Sequence, residues 1–166
     1  MSINKEIEDM KAVLAALEAK ALLNIFESET IWFQGFEYKT FQSPTTGRIW
    51  QDRNLGASEV DAYGGYFTFG EANCPEGYEV PSDEEWSKEL PNNLNTDVAW
   101  MNLPLAGYRT TDGGFVLRGD YTSLWSSTES DGYAYSRYLY TSFAAVDRGA
   151  SSRALGCSVR LIKKEG

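Results

Sequence analysis

The stretch Gly132-Tyr133-Ala134-Tyr135-Ser136-Arg137-Tyr138-Leu139-Tyr140 concentrates side chains suited to molecular recognition. Tyr and Arg combine a large contact area with a hydrogen-bonding tip and a low entropic cost of ordering, and they dominate binding hot spots for that reason. Rings of this kind stack against the apolar faces of sugars, while guanidinium groups donate to polar ligands. In an extended chain, alternation puts Tyr133, Tyr135 and Arg137 on one face and Tyr138 and Tyr140 on the other. The polar run from Asp147 to Arg153 follows, carrying Arg148 between them, and reads either as a solvated turn or as part of a binding rim. With Tyr108 and Arg109 from an upstream hairpin, the candidate ligand-binding set is Tyr108, Arg109, Tyr133, Tyr135, Arg137, Asp147, Arg148 and Arg153.

Covalent chemistry is harder to assemble from this chain. It contains no histidine, which removes a Ser-His-Asp triad, a Cys-His pair and an ordinary zinc site. Two acids could flank a glycosidic bond, drawn from Asp112, Asp120, Glu129, Asp131 and Asp147, but their spacing along the chain sets no distance between them. No catalytic residue and no metal ligand is assigned, and the expectation is a protein that is not an enzyme. The acidic balance, with 24 Asp and Glu against 15 Lys and Arg, argues against a nucleic-acid partner, which calls for clustered basic residues.

Elements that could position such a surface follow from the periodicity. Ile3, Ile7, Met10, Leu14, Leu17, Ala21 and Asn24 alternate in steps of four and three, a heptad seam with the charged residues off it. Ser2 suits the helix N-cap, and Ser28-Glu29-Thr30 breaks the run. The seam is compatible with a helix folded back on its own domain or with an intermolecular coiled coil. Its strictness over three heptads favours the coiled coil, and Ile in both registers with a polar Asn24 points to a trimer.

Beyond the break, short aromatic runs predict strands at 31–41 and 48–51. A capping box at Ser82 and Glu85 predicts a short helix from Asp83 to about Leu90, stopped by Pro91-Asn92-Asn93. Asp112-Gly113-Gly114 predicts a tight hairpin within 105–117. Further strands are expected at 124–128, 133–146 and 158–162, so the fold class is α+β. Trp50, Trp86 and Trp125 are expected in the core, Arg53 or Asn54 as a tie on loop carbonyls, and Arg160 as a satisfied buried or half-buried donor.

The motifs Gly47-Arg48-Ile49-Trp50, Asp52-Arg53-Asn54-Leu55-Gly56-Ala57-Ser58, Tyr63-Gly64-Gly65-Tyr66 and Cys74-Pro75-Glu76-Gly77-Tyr78 lead on to Glu85-Trp86. Further along come Leu105-Ala106-Gly107-Tyr108-Arg109, Trp125-Ser126-Ser127-Thr128-Glu129 and Gly156-Cys157-Ser158-Val159-Arg160. In order and spacing these resemble the Fibrobacter succinogenes major paralogous domain, over about residues 41–163. The resemblance implies a C-type-lectin-like fold whose C-terminal half presents a ligand surface. The chain departs from it in placing Leu161 where a cysteine often follows the Val-Arg pair, so a Cys74–Cys157 disulfide is not carried over. The calcium-chelating tripeptides of calcium-dependent lectins are absent as well, so calcium is not indicated and no cofactor is expected.

The expected organisation is a trimerising coiled-coil helix over 1–28 and a lectin-like ligand-binding domain over 29–166. The N-terminus lacks the basic patch and apolar run of a secretory signal, and no stretch is apolar enough to span a membrane. These features point to a virion fibre or receptor-binding protein assembled in the host cytoplasm. In that reading the helix contacts other virion proteins and the head binds a host-surface glycan or protein. A bacterial cell-surface or secreted adhesion module, or an enzyme related to formylglycine-generating proteins, are the alternative expectations.

Overall fold

In the computed structural model, residues 3–22, 28–90, 99–141 and 146–166 are described, and Ser2, Asn24, Pro91-Asn92-Asn93 and the side chains of Leu17 and Ala21 lie outside them. The chain is a mixed α and β protein built mostly of antiparallel strands. Helix α1 (Ile3–Leu22) carries a charged flank with Glu6 in its first turn, where an acid suits the helix dipole. Its apolar residues Ile3, Ile7, Met10, Val13 and Leu14 remain 44% to 73% exposed, so nothing among the described residues covers that stripe.

The first sheet begins with β1 (Thr30–Phe33) and β2 (Phe36–Gln42), which pair so that Phe33 opposes Phe36. The expected single strand is therefore a hairpin. Gln34 and Gly35 both take positive φ (50° and 84°), the signature of the two-residue turn whose twist matches paired strands. Strand β3 (Ile49–Gln51) adds to β2, and the short strands β4 (Tyr78–Glu79) and β10 (Ile162–Lys163) complete the order β1-β2-β3-β10-β4. Between β4 and the second half lies α2 (Asp83–Glu89), with the anticipated box: Ser82 Oγ accepts from the Glu85 amide at 3.1 Å and Glu85 returns to the Ser82 amide at 2.8 Å.

A two-stranded hairpin, β5 (Tyr108–Arg109) and β6 (Phe115–Val116), turns through Gly113 at φ 90°. A three-stranded sheet follows: β7 (Tyr121–Ser130), β8 (Tyr133–Tyr140) and β9 (Val146–Ser152), with a bulge between Trp125 and Glu129. Two expectations change here. The strand expected to run to Val146 stops at Tyr140, and Asp147 to Ser152, taken for a possible solvated turn, is instead most of β9, pairing in register with 133–138. The last strand is also shorter than expected, since Ser158 lies outside β10 and forms an isolated bridge with Leu124.

Two apolar clusters hold these layers together. Tyr38, Leu55, Trp125, Val159 and Leu161 form one, and Trp50, Trp86, Leu90, Met101, Leu124 and Ile162 the other. Trp50 and Trp86 pack at 4.9 Å, and both indoles find acceptors, Trp50 at Glu89 Oε1 (3.0 Å) and Trp86 at the Trp125 carbonyl (3.1 Å). Arg53 Nη1 donates to the Ser58 carbonyl at 2.8 Å and Asn54 Nδ2 to the Tyr63 carbonyl at 3.1 Å, the loop ties anticipated for them.

Arg160 is wholly buried. Its guanidinium donates to Asn54 Oδ1 (3.2 and 3.1 Å), the Met101 carbonyl (2.7 Å) and the Asn102 carbonyl (3.0 Å). Burial pushes it down to about 9, which still leaves it a cation at neutral pH. A buried charge is tolerated only where its donors are matched, and removing it would strand three acceptors. Arg160→Met should therefore lower stability by about 3 kcal/mol or more, read from chemical denaturation; a loss within about 1 kcal/mol would contradict this role.

Candidate functional site

The hairpin β5–β6 stands at the junction of the second half of the fold, and two glycines allow its close packing. Gly107 sits at φ 65°, and a Cβ there would lie 2.1 Å from the Val116 carbonyl oxygen. A Cβ on Gly156 would lie 2.8 Å from both Cβ and Nε of Arg109 and 3.2 Å from Tyr66 Cβ, so Arg109 and Tyr66 adjoin across the glycine. Arg109 and Gly156 exchange backbone hydrogen bonds at 2.7 and 2.9 Å. Alternation along β5 sends Tyr108 and Arg109 to opposite sides.

On the Arg109 side, cross-strand pairing sets Arg109 opposite Phe115. The Arg118 guanidinium lies 3.7 Å from the Phe115 ring centre, 5.2 Å from that of Tyr66 and 5.8 Å from that of Tyr63. The Tyr66 hydroxyl donates to the Ala106 carbonyl at 2.6 Å and accepts from Arg118 Nε at 2.9 Å, so its proton and the orientation of Arg118 are both set. Phe115 (47%) and Tyr63 (36%) stay partly open to solvent around this guanidinium, and Leu117, the preceding residue, is also exposed. Leu117 has φ 57°, a left-handed conformation that is strained for a side chain of its size.

On the Tyr108 side a tyrosine cluster forms. Tyr121 contacts Tyr108 at 5.9 Å, Tyr138 at 6.0 Å and Tyr140 at 4.7 Å between ring centres. Desolvation raises the phenol pKa of Tyr121 and Tyr138. Asp147, exposed, pairs in register with Tyr138 at the rim of this cluster.

The other face of the three-stranded sheet packs on α2. Arg137 and Arg148 are direct cross-strand partners, a like-charge pair that would repel without a counter-ion. Asp83, the first residue of α2, supplies it: Arg137 Nη2 reaches its Oδ1 at 2.9 Å and Arg148 Nη2 its Oδ2 at 2.8 Å. Arg137 Nη2 also donates to Ser87 Oγ at 2.7 Å. Arg137 was expected on an open face with Tyr133 and Tyr135, but it is only 2% exposed and braces the sheet against the helix, because α2 covers this end of the strand. Arg148 stacks 3.8 Å from the Tyr135 ring centre, and its bond to Asp83 raises its pKa, while Tyr133 stays open to solvent. Arg153 sits apart, 4.8 Å from the Phe69 ring centre and 3.3 Å from Glu129.

The sequence-derived set is thus divided among several places. Tyr133, Tyr135, Arg137 and Arg148 share the α2 side, Tyr108 and Asp147 the tyrosine side, and Arg109 the hairpin patch. Tyr63, Tyr66, Phe115 and Arg118 were missed. The hairpin turn predicted at Asp112-Gly113-Gly114 could have set Phe115 opposite Arg109, but no sequence signal joined Tyr63, Tyr66 or Arg118 to them.

Cys74 and Cys157 are both free thiols. Burial pushes Cys157 up to about 11 and raises Cys74 as well, which suppresses the thiolate that nucleophilic chemistry requires. Searches of family models, curated proteins and solved structures found no match to this chain.

Two outcomes follow from this geometry. Asp83→Ala leaves Arg137 buried without its carboxylate and should destabilise the fold by about 3 kcal/mol, measured by denaturant midpoint; an unchanged midpoint would remove the clamp. Alkylation of the native chain at pH 8 should label Cys74 slowly and leave Cys157 untouched until denaturant is added, as seen by peptide mass mapping.

Proposed function

We propose that this chain is a non-enzymatic recognition protein in which α1 self-associates as a trimeric stalk and the C-type-lectin-like head binds a surface glycan or protein. The observation that carries the reading is the bare apolar stripe of α1. Ile3, Ile7, Met10 and Leu14 follow the heptad seam, and leaving that many large apolar groups in water is unfavourable unless a partner covers them. A second and third copy of the same helix supply a matching seam. The head supports the reading through its exposed aromatic and guanidinium groups around β5–β6 and its suppressed thiols.

Threefold presentation raises the avidity of weak single-site contacts through effective concentration. That arrangement suits a virion fibre or receptor-binding protein meeting a repetitive host surface. No helix among the described residues is long and apolar enough to cross a membrane.

Sedimentation equilibrium of the full chain should return three times its 18.6 kDa. Ile7→Asp combined with Leu14→Asp should return the single-chain mass with an unchanged near-ultraviolet spectrum, and should weaken binding to whole target cells by about a hundredfold or more. A monomeric wild-type chain in dilute solution would overturn the stalk.

A further inference from the structure

In a chain with nine more negative than positive charges, arginines without a carboxylate stand out, and the structure holds two. Arg48 pairs with Glu85, Arg53 with Asp52, Arg137 and Arg148 with Asp83, and Arg153 with Glu129. Arg160 is saturated by Asn54 and two backbone carbonyls. Among the described residues, Arg109 and Arg118 alone of the arginines have neither a carboxylate in ion-pair range nor a full set of acceptors, and both belong to the patch around Phe115.

The neighbouring acids are held in their own turns. Glu71 accepts from the amide and hydroxyl of Thr68, and Asp112 from Thr110 and the Gly114 amide. Arg118 is anchored by Nε to Tyr66, and its two terminal nitrogens have no partner among the described residues. Those two nitrogens form one edge of a planar fork, the geometry that meets a carboxylate with two parallel hydrogen bonds. The guanidinium lies over the ring of Phe115, which remains 47% exposed, and the ring of Tyr63 adjoins it. A ligand that satisfies both features carries a carboxylate next to a flat or apolar C–H face.

We infer that the Arg109–Phe115–Arg118 patch is a subsite for an acidic sugar unit, with the carboxylate on the Arg118 fork and the sugar's C–H face against the neighbouring ring surface. Arg109, opposite Phe115 across the hairpin, adds a second positive charge to the patch, part of whose field is met by Glu71. The subsite rests on the recognition reading above and specifies the class of glycan that the head would take. An uncharged sugar leaves the Arg118 fork unmatched, which is the basis of discrimination.

Glucuronate and glucose differ at the carboxylate and serve as the probes, added to the full chain and followed by saturation-transfer NMR and titration calorimetry. Glucuronate should bind at least about tenfold more tightly than glucose, and Arg118→Ala should lose about tenfold or more of that affinity. Arg118→Lys, which keeps the charge but not the fork, should recover only part of it. Phe115→Ala should weaken both probes, and both residues are exposed enough for the variants to fold, checked by near-ultraviolet circular dichroism. Equal binding of the two sugars, or equal glucuronate binding by wild type and Arg118→Ala, would overturn the subsite. Binding of a short peptide with an acidic C-terminus but not of glucuronate would also overturn it, in favour of a protein partner. Whole-cell binding that survives Arg118→Ala would remove this patch while leaving the recognition reading in place; wild-type chain that binds neither cells nor sugars would end both.

Discussion

Residues 153–164 run between the elements of the fold, and strands β3, β4, β5 and β7 and the loop 55–69 are hydrogen-bonded to them. Phe69 donates to the Arg153 carbonyl, Arg109 and Gly156 exchange bonds, Phe67 and Cys157 do the same, Ser158 donates to Ser123 and accepts from Trp125, Leu55 donates to Val159, and Gln51 to Leu161. From Gly156 to Ile162 every residue is buried, so these backbone groups have no recourse to water and each lost partner costs about 1–3 kcal/mol. Arg160 adds a cation to the same segment and binds Asn54, Met101 and Asn102 together. A stretch of chain that is last in sequence is therefore central in space, and the hairpin β5–β6, the loop 52–67 and strand β7 are positioned relative to one another chiefly through it.

This arrangement explains why the three-stranded sheet has no fully open face. Leu124 and Val146 look toward α2 with Arg137, while Trp125 and Ala134 look toward the other cluster. In the middle of β8, Arg137 meets α2 and Tyr138 meets Tyr121, while Tyr133 and Tyr140 at its ends and much of the edge strand β9 emerge into solvent. The Arg137–Asp83–Arg148 bridge is the electrostatic counterpart of that packing. One carboxylate at a helix start faces two cations from adjacent strands and also sits where the helix dipole favours an anion.

Much of the frame was legible where local chemistry decides the outcome. The Ser82–Glu85 capping box and the Asp112-Gly113-Gly114 turn need only a few neighbouring residues to act, and both formed where expected. Arg160 was legible for another reason, since a polar group flanked by apolar Val159 and Leu161 must be buried with them and then satisfied, whereas Trp50 and Asn54 were read from the motif they share before a loop. Strand β9 was not, because Asp147-Arg148-Gly149-Ala150-Ser151-Ser152 has little β-propensity and is held by its pairing with β8. Arg137 was misplaced because its counter-ion lies 54 residues away in sequence. The Arg118 patch joins residues from 63 to 118, and nothing in the spacing of Tyr63, Tyr66, Phe115 and Arg118 announces that they meet.

The charge distribution bears on what such a head can recognise. At physiological salt the screening length is roughly 8 Å, so the excess of negative charge is largely damped at the distance of approach and repels a polyanion chiefly near contact. Nonspecific attachment to an extended anionic polymer is thereby disfavoured. A single carboxylate on the Arg118 fork would feel that adjacent charge most strongly, while Glu71 already acts on Arg109. A fixed fork beside exposed rings within an acidic surface favours a ligand that presents one local negative group with apolar surface next to it over a uniformly charged chain. Weak binding of that kind is what a self-associating helix would amplify, since each copy in such an assembly would retain its own contact.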